Sequence, residues 1–311
     1  MSRYTRHCPS PIHPNVAPHL QSTMSIVQVD DPQDPRLVDY LDVPDPVLLR
    51  ERGLFVAESR LVVRELLAHP HLRTRSLLVT MSALDSLRDL LDQRPDIPSI
   101  YVGTPQFLKQ VVGFHVHRGC LALGHRPTPL HDVNLAQVSS SYLVVVLENV
   151  GNPDNVGSIF RNAAAFGVDC VLLSPNCCDP LYRKAIRTSL GATLRIPYAN
   201  INDWPDGLSR LRDIGFTTVA LTPETHAGDI VDFVTHAPPR VALLLGTEGV
   251  GLTEGALIRA DRRVRIPIAP GIDSLNVATA TGIALHLLSS RDTVRDPIAS
   301  PVENTRDNPC R

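Results

Sequence analysis

Three stretches of the chain carry side chains able to do chemistry, and each follows an apolar run. The first is Glu148-Asn149-Val150-Gly151-Asn152-Pro153-Asp154-Asn155-Val156-Gly157-Ser158-Ile159-Phe160-Arg161, where an amide and a guanidinium stand as Asn155-x5-Arg161. An amide can fix a polar ligand, and a guanidinium can grip a phosphate through two parallel hydrogen bonds. The second, Leu243-Leu244-Leu245-Gly246-Thr247-Glu248-Gly249-Val250-Gly251-Leu252, runs from a strand-like segment into a glycine-rich loop carrying one carboxylate, Glu248. The third spans Ile266 to Leu285, with Ser274 and Asn276 at a helix entry and small Ala278, Ala280, Gly282 and Ala284 beyond it.

Taken singly, these residues also admit plainer roles. Asn155 and Ser274 suit helix caps, Arg161 suits a surface phosphate or an ion pair, and the small residues suit a tight helix interface such as a dimer supplies. Glu248 can be structural. Gly249, Gly251 and Gly255 are spaced GxGxxxG, one residue off the dinucleotide pattern, and no acidic ribose-binding residue follows on a second strand. That spacing argues against a nicotinamide cofactor.

The elements that must position these residues are α/β in pattern. Tyr142 to Leu147 is an uninterrupted apolar run, as in a parallel strand buried on both faces. After it the sequence predicts helix 156–166, strand 170–173, helices 180–190 and 204–213, strands 217–221, 241–245 and 264–266, and helix 275–288. Before it, strand-like runs at 54–57, 76–79, 99–102 and 120–123 alternate with helical periods at 61–67, 84–91 and 107–112, a smaller α/β unit. The predicted division is 1–24 outside the fold, with Met24 as a candidate start, then 25–128 as the first domain. A linker at 129–141, a second domain at 142–290 and a loose tail at 291–311 complete it.

Composition narrows the function classes. The chain is 43% hydrophobic and 20% charged, enough to bury sizeable cores. Its formal net charge of -2 excludes nucleic-acid binding through a uniform positive field, so any such contact must be local. The cysteines, including adjacent Cys177 and Cys178, form no CxxC pair, and neither a metal site nor a disulfide scaffold is expected. No run reaches the roughly 20 apolar residues that span a bilayer; a cytoplasmic location is expected.

The order and separation of the three stretches resemble the three motifs of the SpoU family of RNA 2'-O-ribose methyltransferases, in the SPOUT superfamily. Residues 180–192 resemble that family's intervening stretch. Phe55-Val56-Ala57-Glu58-Ser59-Arg60-Leu61-Val62 and 113–122 resemble the small N-terminal substrate-binding domain of many members. The second motif carries Thr247 where many members have Asn.

The resemblance implies a C-terminal domain with a parallel sheet and a trefoil knot, an N-terminal α/β RNA-binding domain, a homodimer, and S-adenosylmethionine as cofactor. It implies catalytic roles for Arg161, Asn155, Glu248, Ser274 and Asn276, and cofactor contacts from Leu245, Gly246, Ile266, Ala269, Leu275 and Ala278. RNA contacts are expected from Arg183, Lys184, Arg187, Arg60 and Arg118. The implied substrate is ribosomal RNA ahead of transfer RNA; the alternative is a catalytically inactive RNA-binding or ribosome-assembly factor.

Overall fold

A computed structural model describes residues 24–41, 44–113, 119–127 and 142–289. The linker expected at 129–141, the tail at 291–311, and all of the first 24 residues but Met24 lie outside the described residues.

The first unit runs β1 (Ser25–Gln28), α1 (Asp45–Glu51), β2 (Leu54–Glu58), α2 (Arg60–Ala68), β3 (Thr74–Val79), α3 (Met81–Asp85), α4 (Arg88–Leu91), β4 (Ser99–Val102), α5 (Pro105–Val112) and β5 (Cys120–His125). Its sheet has the order β1-β4-β3-β5-β2. β1, β4 and β3 are parallel, while β5 is antiparallel to both β3 and β2.

The second unit runs β6 (Tyr142–Glu148), α6 (Pro153–Ala165), β7 (Cys170–Leu173), α7 (Arg183–Thr188), α8 (Ala192–Arg195), β8 (Tyr198–Asn200), α9 (Leu208–Asp213), β9 (Thr217–Leu221), β10 (Gly228–Asp229), α10 (Ile230–Thr235), β11 (Arg240–Gly246), α11 (Glu254–Arg259), β12 (Arg262–Arg265) and α12 (Val277–Ser289). Its strands are parallel throughout, in the order β10-β12-β9-β11-β6-β7-β8. Alternation of side chains along a strand explains the apolar runs of β6 and β11. Val145, Leu147, Leu243 and Leu245 enter one core with α6 and α12, and Val144, Val146, Ala242 and Leu244 enter a second with α9 and α11.

Several predicted helices are shorter than expected, for local reasons. The helix expected over 180–190 begins at Arg183, because the Asp179 side chain accepts the Leu181 N–H at 2.9 Å and turns the chain first. The one expected over 84–91 is two short helices, broken at Ser86 and Leu87. Residues 204–207 precede α9 as a turn rather than as its first part. The short elements α1, β8, β10, α10 and α11 were not expected, since two to seven residues are too few for a periodic pattern to register.

The two units share a core. Leu181, Ile186 and Leu194, on and around α7 and α8, are buried with Ala57, Val62, Leu66 and other residues of the first unit. Polar ties flank this seam: Arg126 to Asp179 at 2.8 Å, the Arg183 N–H to the Asp45 carboxylate at 3.0 Å, Arg195 to Glu65 at 3.5 Å and Arg187 to Glu58 at 3.8 Å. An Ile186→Ala substitution is therefore expected to cost about 2–5 kcal/mol and to leave the two units unfolding together. A urea titration followed by far-UV circular dichroism checks this; unaltered stability, or two separated transitions in the parent protein, would contradict a shared core.

Candidate active site

The candidate site lies at the carboxyl ends of β6, β9, β11 and β12, where open parallel sheets gather ligands. β11 ends at Gly246, and the loop after it folds straight back: Gly251 N–H donates to the Thr247 carbonyl at 3.0 Å. A Cβ on Gly246 would sit 2.1 Å from the Gly251 carbonyl carbon and 2.3 Å from the Leu252 nitrogen, so only glycine allows this return. The turn itself uses left-handed backbone at Gly249 (φ +82) and Gly251 (φ +74).

One side chain joins the three sequence motifs. Asn276 caps α12, its Oδ1 accepting from Ala278 N at 2.9 Å and Thr279 N at 3.2 Å. Its Nδ2 donates to Asn155 Oδ1 at 3.1 Å and also to Glu248 Oε1. Asn155 is buried inside α6. Two turns further along the same face, Asn162 Nδ2 donates to the Ala278 carbonyl at 2.8 Å. The amides of α6 thus hold the first turn of α12.

This assigns the caps differently from the plain readings of the sequence. Asn152, not Asn155, caps α6, its side chain accepting the Asp154 N–H at 2.9 Å. Asn276, not Ser274, caps α12, while Ser274 is exposed on the preceding loop. Arg161 is exposed and has no hydrogen bond or ion pair among the described residues. At 3.6 residues per turn it lies roughly a third of a turn off the line through Asn155 and Asn162.

Beside this network a cleft of about 260 Å³ is lined by residues 221–224 and 245–252, by Leu257, Ile266, Ile268, Ser274 and Leu275, and by Val277 and Ala280 of α12. Of the residues expected at a cofactor, Leu245, Gly246, Ile266 and Leu275 line it. Ala269 and Ala278 do not: the Ala269 carbonyl accepts from Ile272 N at 3.3 Å, and Ala278 is buried between α12 and α6. Sequence reasoning missed residues 221–224, whose place follows from the pairing of β9 beside β11. The lining carries two carboxylates, Glu224 and Glu248, and no Lys, Arg or His among the described residues. Glu224 itself takes His226 at 3.1 Å and Arg263 at 3.4 Å.

Most of the cations expected to contact RNA are engaged within the protein. Lys184 pairs with Asp154 at 2.7 Å, Arg187 approaches the buried Glu58, Arg60 donates to Ser82 Oγ at 2.9 Å, and Arg183 lies at the seam with Asp45. Arg118 lies outside the described residues. Burial pushes the Cys178 thiol up to about 12, away from a reactive thiolate, and Cys177 Sγ points at the Leu147 carbonyl 3.2 Å away. No group of three or more His, Cys, Asp or Glu able to hold a metal ion occurs among the described residues, and no helix there is long and apolar enough to cross a membrane.

Comparison with known proteins finds relatives of this chain. Residues 142–286 match the model of the SpoU rRNA Methylase family. Uncharacterized tRNA/rRNA methyltransferases of Mycobacterium bovis and Mycobacterium tuberculosis are 40% identical over 276 residues, covering 85% of this chain and 91% of theirs. Among solved structures, the SpoU methyltransferase AviRb from Streptomyces viridochromogenes in complex with AdoMet superposes with a TM-score of 0.70 at 23% identity, over 83% of this chain and 98% of that one. An RNA 2'-O ribose methyltransferase gives a TM-score of 0.69 at 22% identity, over 85% and 98%. At these identities the structural likeness establishes the fold.

Because Asn276 both caps α12 and ties Glu248 to Asn155, Asn276→Ala is expected to lower stability by about 0.5–2 kcal/mol. Thermal denaturation against the parent protein measures it. An unchanged midpoint would mean that Asn276 does not cap α12.

Proposed function

The chain belongs to the SpoU methylase family, and from that membership we propose that it methylates a ribose 2'-hydroxyl in RNA, ribosomal RNA before transfer RNA, with S-adenosylmethionine as donor. The observation that carries the reading is the cleft beside Asn276, with two carboxylates and no cation in its described lining. A donor that brings a sulfonium and an ammonium against one carboxylate suits such a lining, whereas a dinucleotide pyrophosphate would meet like charge. Apolar Leu221, Leu245, Leu257 and Ile266 offer walls for a purine.

When bound, S-adenosylmethionine would supply an electrophilic methyl group to the ribose oxygen and leave as a neutral thioether, the hydroxyl proton passing to solvent. The protein's part is orientation of two reactants. Loop 246–252 and the loop before α12 hold the donor, and the Asn276 amide keeps both in register with α6. Arg161, exposed and uncommitted on α6, binds the phosphate beside the target ribose and orients its 2'-hydroxyl. A guanidinium keeps its protons, so this role is binding rather than general base. Ser274, at the cleft, hydrogen-bonds the incoming substrate or the methionine end of the donor.

The same reading makes 25–128 an RNA-binding domain and 142–290 the methyltransferase domain. It implies the family's trefoil knot, wound from the three motifs, and a homodimer. The name shared by the mycobacterial relatives keeps transfer RNA as the second substrate class.

Arg161→Ala is expected to abolish methyl transfer, a loss of at least about a thousandfold if the substrate phosphate and hydroxyl both lose their anchor, while circular dichroism stays that of the parent. The assay uses tritiated S-adenosylmethionine with ribosomal and transfer RNA from cells lacking the gene. A folded, fully active variant would sink the role of Arg161, and transfer to neither RNA by the parent protein would favour the inactive RNA-binding factor.

A further inference from the structure

A buried carboxylate outside the Asn276 network stands at the end of β6. Glu148 is fully buried, and three donors fill its two oxygens. Thr253 Oγ1 reaches Oε1 at 2.7 Å, Thr253 N reaches Oε2 at 2.8 Å, and Trp204 Nε1 donates to Oε1. A carboxylate is tolerated away from water only when its lone pairs are satisfied in this way. Glu148 also faces Gly246 in the β6–β11 register.

The loop that lines the cleft therefore begins beside Glu148, at Gly246, and ends on it, at Thr253. Between those points its residues 246–252 all line the cleft, and Val250 is 82% exposed. Such a loop needs fixed ends to keep one shape. At one end the β-ladder supplies this; at the other it is the paired grip of Glu148 on the hydroxyl and the N–H of Thr253. Thr253 is otherwise exposed, and its Oγ1 accepts from Ala256 N at 3.3 Å to cap α11.

We propose, resting on the donor-site reading above, that Glu148 is a positioning residue: by fixing Thr253 it holds loop 246–252 in the shape that binds S-adenosylmethionine. Glu148 lines no part of the cleft and acts wholly through Thr253. Trp204, the chain's one tryptophan, donates to the same Oε1 that takes the Thr253 hydroxyl and so reports on this carboxylate. Replacing Glu148 by Gln turns one acceptor into a donor and sets it against one of the three incoming hydrogens. Replacing Thr253 by Asp keeps a capping oxygen for α11 but sets two carboxylates face to face.

The test measures S-adenosylmethionine binding by calorimetry on the full-length chain, without RNA, together with Trp204 emission and the thermal midpoint. The parent protein and the conservative Thr253→Ser are expected to agree within about twofold, since Ser keeps both donors. Glu148→Gln and Thr253→Asp are each expected to weaken binding by about tenfold or more at temperatures well below their midpoints, and Glu148→Gln to shift the Trp204 emission. A folded Glu148→Gln or Thr253→Asp variant that binds like the parent overturns the proposal, as does a Thr253→Ser variant that binds as weakly as Thr253→Asp. If Glu148→Gln does not fold, the two Thr253 variants decide. Failure of the parent protein itself to bind S-adenosylmethionine overturns the donor-site reading instead, a separate outcome.

Discussion

The parallel pairing of β6 with β11, in register from Arg240 beside Tyr142 to Gly246 beside Glu148, is the constraint from which the site follows. It makes two loops leave the sheet at the same level. One must turn at once into α6; the other must fold back at Gly246, where no Cβ can be accommodated. Because both strands bury both faces, a slip of one residue would exchange their two hydrophobic sets between cores and move Glu148 out of line with Thr253. The apolar content of two strands thus fixes the position of polar atoms several residues away.

Around that pair the polar side chains divide into two sets that do not share partners. The Asn276 amide, with Asn155 and Glu248, ties α6, the second loop and α12 together. Glu148, with Thr253 and Trp204, ties the far end of the same loop to β6 and to the segment before α9. A glycine-rich loop has little side-chain packing to define it, so its shape depends on such anchors at both ends. The seam at α7 adds a third restraint: with Ile186 buried against the first unit, α6 and its neighbours are set relative to the first sheet by a shared core as well as by ion pairs.

Much of this was legible in the sequence because it rests on periodicity and local order. The run of β6 announced a strand buried on both faces and that of β11 a strand, and the three motif loops stand in order, with Asn276 hydrogen-bonded to both Asn155 and Glu248. Most of what escaped notice depends on contacts distant in sequence, the cap of α6 being a local exception. That Asn152 rather than Asn155 caps α6 turns on where Pro153 starts the helix. Residues 221–224 reach the cleft only because β9 pairs with β11, an order that no local pattern encodes. Arg183, Lys184 and Arg187 suggested a basic helix face; Lys184 and Arg187 meet Asp154 and Glu58, and the Arg183 backbone N–H meets Asp45, all from elsewhere in the chain. Glu148 opens the first motif, but its partner Thr253 lies 105 residues further along the chain.

The charge distribution connects the near-neutral composition to the chemistry. With Arg52, Arg64, Arg94, Arg126, Lys184 and Arg212 all committed to carboxylates, much of the positive charge is neutralised within the protein. Of the cleft's two carboxylates Glu224 is paired with His226 and Arg263, whereas Glu248, like Arg161 on α6, has no ion pair among the described residues. A cationic donor is attracted to Glu248 and an anionic phosphate to Arg161, a separation that a strongly basic protein would blur. Phosphate contacts position a nucleic acid without reading its bases, so, under the proposed function, an isolated arginine suits placing one nucleotide more than gripping a length of backbone.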